Sequence, residues 1–200
     1  MRLKIAAAGE VVLRTIARPI TSKEIKGAKV QELIEHMRET LNDAPGVGLA
    51  APQIGLPLQL AVIEDKIEYQ ATVSEAELQE RERSPVPFHV LINPKLQLLS
   101  TPEITFYEGC LSLPGFIAMV PRARKVAVEA LDHTGRPVHI EATGWYARIL
   151  QHEIDHLHGT LYIDRMQRRS FSTLDNYNRY WKTKSHAELL REFGSAAAED

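Results

Sequence analysis

The sequence lacks several features that would indicate particular classes of protein. Its 200 residues include one cysteine, Cys110, so no disulfide can form within the chain, which fits a reducing compartment. No apolar run approaches the ~20 residues that span a bilayer. The N-terminal segment is too short to be a convincing signal peptide. We therefore expect a cytoplasmic protein without membrane contacts.

The chain also lacks a large net charge and the common phosphate-binding motifs. The formal net charge is −2 and the pI is near 6.5, so no overall electrostatic reason favours nucleic-acid binding. The sequence contains neither G-x-x-x-x-G-K-[ST] nor G-x-G-x-x-G, which argues against a nucleotide site. The length fits one domain, or one domain with a tail, and is sufficient for a hydrophobic core.

The most informative stretch is QHEIDHLHG at residues 151–159. His152 and His156 are four residues apart, so on an α-helix they share one face and both can reach a single ion. Glu153 stands beside the first histidine, where a carboxylate can take a proton from a metal-activated water. This H-E-x-x-H arrangement is typical of metal-assisted hydrolysis. The alternative is an ordinary core helix whose histidines form hydrogen bonds.

A catalytic ion held by these two histidines needs a further ligand, because such sites combine three protein ligands with one open position. We favour Cys110, although a lone cysteine is more often a small buried apolar residue. A metzincin would have a histidine where this chain has Tyr162. The other histidines have no comparable sequence context, although each stays formally open as a ligand: His36, His89, His133, His139, His158 and His186.

A second unusual stretch, GVGLAAPQIG, occupies residues 46–55. Its small residues suit a backbone that passes close to packed chain or to a substrate. Gln53 can present an amide there. Taken alone, the stretch is more typical of a packed turn.

The remaining pattern predicts mixed helices and strands. Residues 9–20 are typical of an extended arm. Thr21 and Glu24 form a capping-box pattern, and the apolar stripe that follows predicts a helix to about Asn42. Thr143-Gly144 should open the helix that carries the histidines. Strands are predicted at Leu58–Glu64, His89–Asn93, Leu96–Ser100, Glu103–Tyr107, Val120–Asp132 (centred on Lys125–Leu131) and Pro137–Ala142.

Two segments depart from this pattern. Residues 65–87 are polar and charged, which indicates a surface insertion to which we assign no chemistry. Between residues 165 and 184, six basic residues face one acidic residue, Asp175, so the tail is locally basic. A solvated surface is the commoner explanation for such a charge run.

Three segments together resemble the motifs of the peptide deformylase family: GVGLAAPQ at 46–53, EGCLS at 108–112 and QHEIDH at 151–156. They match in identity, order and approximate spacing, and the resemblance covers about residues 9–167. It implies an α+β fold in which antiparallel sheets enclose a central metal-binding helix. We therefore expect a catalytic domain over residues 1–167. The surface insertion at 65–87 and a partly helical tail over 168–200 depart from the most familiar bacterial members. The residues near Gly115 and Trp145 are similar to the branch that includes organellar enzymes, but we expect a bacterial cytoplasmic protein.

The resemblance implies removal of the N-terminal formyl group from formylmethionine of nascent polypeptides, with release of formate. Glu153 would serve as general base and then general acid. The Gln53 side-chain amide and the Leu111 backbone N–H would stabilise the developing oxyanion. One divalent ion, usually Fe²⁺ but replaceable by Zn²⁺, Ni²⁺ or Co²⁺, would be bound by Cys110, His152 and His156.

The resemblance also implies residues that would bind the substrate or support the metal ligands. The peptide would lie as an added strand against the backbone of Gly48 and Gly115. Glu108 would pair with Arg122 and steady the cysteine loop. The methionine side chain would enter an apolar pocket formed by Val47, Phe106, Trp145 and Ile149.

Two rival functions are weighed against deformylation. A general HExxH zinc endopeptidase would cleave internal peptide bonds, but the cysteine ligand and the two additional motifs disfavour it. An inert metal-binding module associated with the ribosome would fit a chain that lacked the catalytic base, whereas Glu153 is present. The basic tail still suggests a ribosome contact, without sequence-specific recognition of nucleic acid.

Overall fold

The structure is a computed structural model that describes residues 2–71, 73–100 and 103–193. Its strands are β1 (Gly48–Ala50), β2 (Leu60–Asp65), β3 (Val86–Leu98), β4 (Glu103–Cys110), β5 (Leu113–Ala123), β6 (Lys125–Leu131), β7 (Pro137–Thr143) and β8 (Ser172–Thr173). They form one five-stranded sheet in the order β1-β2-β3-β6-β7 and one three-stranded sheet in the order β4-β5-β8. Every strand pairing is antiparallel. The α+β prediction is confirmed.

The helices are α1 (Ser22–Ile25), α2 (Ala28–Asp43), α3 (Glu75–Glu80), α4 (Gly144–Leu157), α5 (Leu174–Asn176) and α6 (His186–Phe193). A π-helical segment, Tyr177–Trp181, follows α5. Among the described residues, no helix has the length and apolar character needed to cross a bilayer.

Helix α4 carries the H-E-x-x-H motif and is attached to both sheets. Its residues Ile149, Leu150 and Ile154 belong to a buried cluster with side chains of the five-stranded sheet. The Gln151 side chain joins it to β5, since its Nε2 donates to the Ala123 carbonyl at 2.8 Å and its Oε1 accepts from the Ala123 N–H at 3.0 Å. A helix fixed in this way is a rigid support for metal ligands, as the apolar spacing predicted.

The N-terminal arm closes the far end of α4. Residues 9–20 are not fully extended as predicted, because Val11–Arg14 forms a 3₁₀ turn. Beyond this turn, the Ala17 N–H donates to the Leu157 carbonyl at 2.9 Å. Gly159 ends the helix with φ +70°, and a Cβ there would lie 2.7 Å from the Arg14 carbonyl oxygen. Glycine is therefore required both for the left-handed turn and for the close approach of the arm.

The predicted helix from Thr21 to Asn42 is divided in two. The capping box is present, with Glu24 N–H donating to Thr21 Oγ1 and Thr21 N–H donating to the Glu24 carboxylate. Gly27 then adopts extended angles between α1 and α2, and a Cβ there would lie 3.1 Å from the Glu24 carbonyl oxygen. The predicted stripe of α2 is confirmed in large part, since these members are buried: Val30, Ile34, Met37 and Leu41.

The prediction of two strands separated by Pro94 is wrong, because β3 runs continuously from Val86 to Leu98. The register shifts between Ile92 and Lys95, and Asn93 has φ +52°. Such a bulge removes the proline from the hydrogen-bonded ladder. Strand β4 is longer than predicted and extends to Cys110, so Phe106, Glu108 and Cys110 stand on alternate positions of one strand.

The insertion and the tail are both packed against the domain. Within residues 65–87, Arg83 forms a bidentate ion pair with the buried Asp65, both contacts at 2.8 Å, and so joins the two ends of the insertion. In the tail, β8 pairs with β5, and Leu189 is buried in a cluster with Tyr107 and Met119. Residues 194–200 of the predicted tail lie outside the described residues.

Candidate active site

The three predicted metal ligands lie together. Cys110 ends β4, and His152 and His156 occupy successive turns of α4. One donor atom from each lies within 4.8 Å of the others, and Cys110 Sγ lies 3.4 Å from His156 Nε2. In the described parts of the chain, no other Cys, His, Asp or Glu side chains form such a group. A thiolate with two imidazoles suits a borderline divalent transition metal and leaves a fourth position open. The residues therefore fit a metal ion.

Glu108 orients the first histidine. Its carboxylate accepts a hydrogen bond from His152 Nδ1 at 2.9 Å, which turns Nε2 of that ring toward the other ligands. The predicted partner Arg122 donates to both carboxylate oxygens at 3.0 Å. Arg148, for which no role was predicted, donates to Glu108 Oε1 at 2.6 Å. Arg148 precedes His152 by four residues and so shares the ligand face of α4; that spacing is the signal that could have identified it.

Charge explains why Glu108 remains ionised inside the protein. Burial alone would raise the pKa of its carboxyl group, but Arg122 and His152 together lower the pKa well below its ordinary value. Burial lowers the pKa of Arg148 to about 10, so this guanidinium is still protonated at neutral pH. The cluster is a buried anion surrounded by cationic donors.

The network also includes Asp155, an acidic residue within the H-E-x-x-H segment for which no role was predicted. Arg122 Nη1 donates to Asp155 Oδ2 at 2.5 Å. Arg165 holds the same carboxylate from outside, through bonds of 2.7 and 2.8 Å. Asp155 lies within the H-E-x-x-H segment, but the sequence offers no partner for it because Arg122 and Arg165 are distant along the chain.

Glu153 lies where its carboxylate contacts β1. The side chain is buried, and its Oε2 has no hydrogen-bond partner within the described structure. A Cβ atom added to Gly48 would lie only 2.3 Å from Glu153 Oε1. Gly48 is therefore required to leave space for this carboxylate, a constraint that the sequence did not reveal. Burial raises the pKa of Glu153 to about 7, a value suited to accepting and returning a proton near neutral pH.

The glycine-rich segment and the cysteine segment also meet here. Gln53 Oε1 accepts a hydrogen bond from the Ala50 N–H at 2.8 Å, so its amide nitrogen is directed toward Cys110 Sγ at 3.4 Å. Leu111 follows Cys110 at the turn into β5. A Cβ on Gly46 would lie 3.1 Å from Leu111 Cδ1, which shows how closely the two segments approach.

The predicted substrate residues fall into separate groups. Val47, Trp145 and Ile149 pack with one buried cluster. Phe106 is buried outside that cluster, with the Arg148 guanidinium 5.3 Å from its ring centre. Gly115, with φ +81°, lies at the exposed start of β5, in a different sheet from Gly48.

Comparison with known proteins decides the family. The polypeptide deformylase family matches residues 2–172 of this chain. Peptide deformylase 3 of Streptomyces avermitilis is 46% identical over 97% of the chain and 84% of the relative. The chain belongs to the polypeptide deformylase family.

Another member of the deformylase family, chloroplastic peptide deformylase 1A of Solanum lycopersicum, is 46% identical over 86% of this chain. The chain spans 62% of that relative's length. Among solved structures, a class I type b peptide deformylase from Acinetobacter baumannii bound to Met-Ala-Ser is 30% identical, covers 83% of this chain and 99% of its own, and has a TM-score of 0.73. These deformylases support neither the endopeptidase nor the inert module.

Proposed function

We propose that this deformylase removes the formyl group from the N-terminal formylmethionine of nascent peptides and releases formate. The observation that carries the proposal is the meeting of the Cys110, His152 and His156 donors with the buried side chains of Glu153 and Gln53 in one site. The Acinetobacter baumannii relative was solved with Met-Ala-Ser, which is the peptide that deformylation of formyl-Met-Ala-Ser would leave.

Each step of the reaction can be assigned to a residue of this chain. Bound by Cys110, His152 and His156, a divalent ion would supply Lewis-acid chemistry that lowers the pKa of water, so that water can lose a proton near neutral pH and attack a carbonyl carbon. Glu153 takes the proton of the attacking water and delivers it to the departing amine. The Gln53 amide and the Leu111 N–H donate to the developing oxyanion, and one such donor is typically worth roughly 3–4 kcal/mol.

The sheet edges suggest how the peptide binds. β1 and β4 are each the last strand of their sheet, and each leads to the site, through Gly48 and Cys110. An extended peptide can add to such an edge by backbone hydrogen bonds. We assign backbone contacts to Gly48 and Gly115. The methionine side chain is assigned to the apolar walls formed by Val47, Phe106, Trp145 and Ile149.

The identity of the ion is a separate proposal, in which Fe²⁺ occupies the site in the cell and Zn²⁺, Ni²⁺ or Co²⁺ can replace it. The mixed thiolate and imidazole ligands suit all four ions. A ferrous ion beside a partly exposed cysteine is sensitive to oxidation. Metal analysis of protein purified without oxygen should find mainly iron, whereas mainly zinc in cells supplied with both metals would contradict this assignment.

Deformylation is tested by measuring formate release from formyl-Met-Ala-Ser. We expect release by anaerobically prepared protein, loss of release after chelation, and recovery when Fe²⁺ or Ni²⁺ is returned. Acetyl-Met-Ala-Ser and a longer peptide without a formyl group serve as controls. Metal-loaded protein that leaves the formylated peptide intact, or that cleaves internal peptide bonds instead, would contradict the proposal.

Location and the role of the tail extend this proposal. We assign the protein to the cytoplasm. We divide the chain into a catalytic unit at 1–167 and a tail at 168–200. We assign a ribosome contact to this tail. Arg168, Arg169 and Lys182 are exposed on it. Exchanging these three residues for glutamate should weaken co-sedimentation with ribosomes, and binding of the native chain should decrease as salt is raised. Equal binding by both proteins at every salt concentration would exclude the contact.

A further inference from the structure

The insertion and the tail, which lie outside the three motifs, meet at Phe106. From the insertion, the Arg81 guanidinium lies 5.5 Å from the Phe106 ring centre and 4.9 Å from that of Trp145. From the tail, the His186 ring packs on Phe106 with 4.9 Å between ring centres. Phe106 and Trp145 are two of the proposed walls of the methionine pocket. Both peripheral segments therefore contact a surface assigned to the substrate.

Arg81 is fixed in place between the two aromatic rings. Its Nη2 forms an ion pair with Glu77 Oε1 at 2.8 Å, one turn earlier on α3. The backbone is also fixed, because the Arg81 carbonyl accepts a hydrogen bond from the Trp145 N–H at 2.8 Å. A guanidinium stacked on aromatic faces is a favourable contact, worth more when it is shielded from water. Arg81 is thus a stable part of the pocket wall.

Arg148 also contacts Phe106, with its guanidinium 5.3 Å from the ring centre. This side chain is buried and held by Glu108 at 2.6 Å and by the Val120 carbonyl at 2.8 Å. Phe106 therefore has little freedom toward α4. The position of its ring also depends on the contacts with His186 and Arg81.

Beyond these two residues there is open space. A cavity of about 680 Å³ lies between α3 and the tail. Its lining includes Arg81, Phe106, His186 and Leu189. Shortening the side chain at position 81 or 186 would give the Phe106 ring room to move toward this cavity.

We propose that Arg81 and His186 are specificity-determining residues, which limit the size of the N-terminal side chain that the enzyme accepts by closing the pocket behind Phe106. The inference rests on the proposed deformylation and adds the residues that select its substrate. Closely packed walls reject larger groups, because accommodating them would require displacement of fixed side chains.

The test compares kcat/KM for formyl-Phe-Ala-Ser with kcat/KM for formyl-Met-Ala-Ser. In Arg81→Ala and His186→Ala, we expect the Phe-to-Met ratio to rise about tenfold, within the range that small changes of an apolar pocket produce. His186→Phe keeps a ring on Phe106 and should restore the native ratio. Arg179→Ala removes an exposed tail arginine and should leave the ratio unchanged. Because the ratio is measured on one preparation, it does not depend on the fraction of active protein.

The outcomes separate the two proposals. Native protein that deformylates formyl-Met-Ala-Ser, with a ratio that both alanine variants leave unchanged, would overturn the role of Arg81 and His186 alone. Native protein that releases no formate from either peptide would overturn both proposals. If the alanine variants do not fold, Arg81→Leu and His186→Val are measured in the same way, and an unchanged ratio in these variants would also contradict the inference.

Discussion

Replacing Glu153 with glutamine is expected to reduce formate release from formyl-Met-Ala-Ser by roughly 10²–10⁴-fold, the usual contribution of a positioned general base. Glutamine has nearly the same shape, so it fits the space that Gly48 leaves beside the carboxylate. It cannot accept the proton of the attacking water. The metal content should stay unchanged, because the donor atoms belong to Cys110, His152 and His156.

The measurement pairs the initial rate of formate release with metal analysis of the same sample. Glu129→Gln is a matched control, since Glu129 is exposed on β6, remote from the motif in sequence. It should behave like the native protein. Glu153→Gln that retains its metal and most of its activity would contradict the assignment of Glu153 as the base. Loss of metal from the variant would show instead that Glu153 supports the ligands.

Short-range patterns predicted the centre of the site, and long-range packing explains what they missed. His152 and His156 were predictable because helical spacing alone places them on one face. Cys110 was predictable because two histidines leave a catalytic ion short of one ligand. Arg148 and Asp155 were missed as partners of Glu108 and Arg122, because those contacts join β4, β5 and α4 and depend on how the sheets enclose the helix.

The secondary-structure errors have local causes. Pro94 suggests a strand break, yet a bulge keeps β3 continuous, because Asn93 takes a left-handed conformation and its side chain holds the backbone of Ile20 through two 2.8 Å bonds. Gly27 was read as part of a helix because the apolar spacing around it is regular. The insertion was not expected to contact the site because it is highly charged. In the structure, Arg81 stacks on aromatic rings and its charge is paired with that of Glu77.

Replacing Glu108 with glutamine is expected to lower the free energy of unfolding by about 3–5 kcal/mol, the usual result of removing one partner from a buried ion pair. Arg148 would keep its buried charge without a carboxylate partner, and Arg122 would keep only its ion pair with Asp155. His152 would also lose the acceptor that fixes its ring, and metal affinity should decrease roughly 10–100-fold. Chemical denaturation and competition with a chelator measure the two effects.

The dependence of this loss on pH distinguishes an ionic role from a merely steric one. Because the folded protein depresses the pKa of Glu108, its ion pairs stabilise the native state above the pKa of the unfolded carboxyl group and lose that effect as the pH falls. The difference in unfolding free energy between native protein and Glu108→Gln should therefore be largest near neutral pH and shrink in acid. A difference in unfolding free energy that is constant with pH would show that Glu108 acts through packing. The control variant Glu129→Gln should unfold with almost the same free energy as the native protein at every pH, because surface substitutions of this kind have small effects.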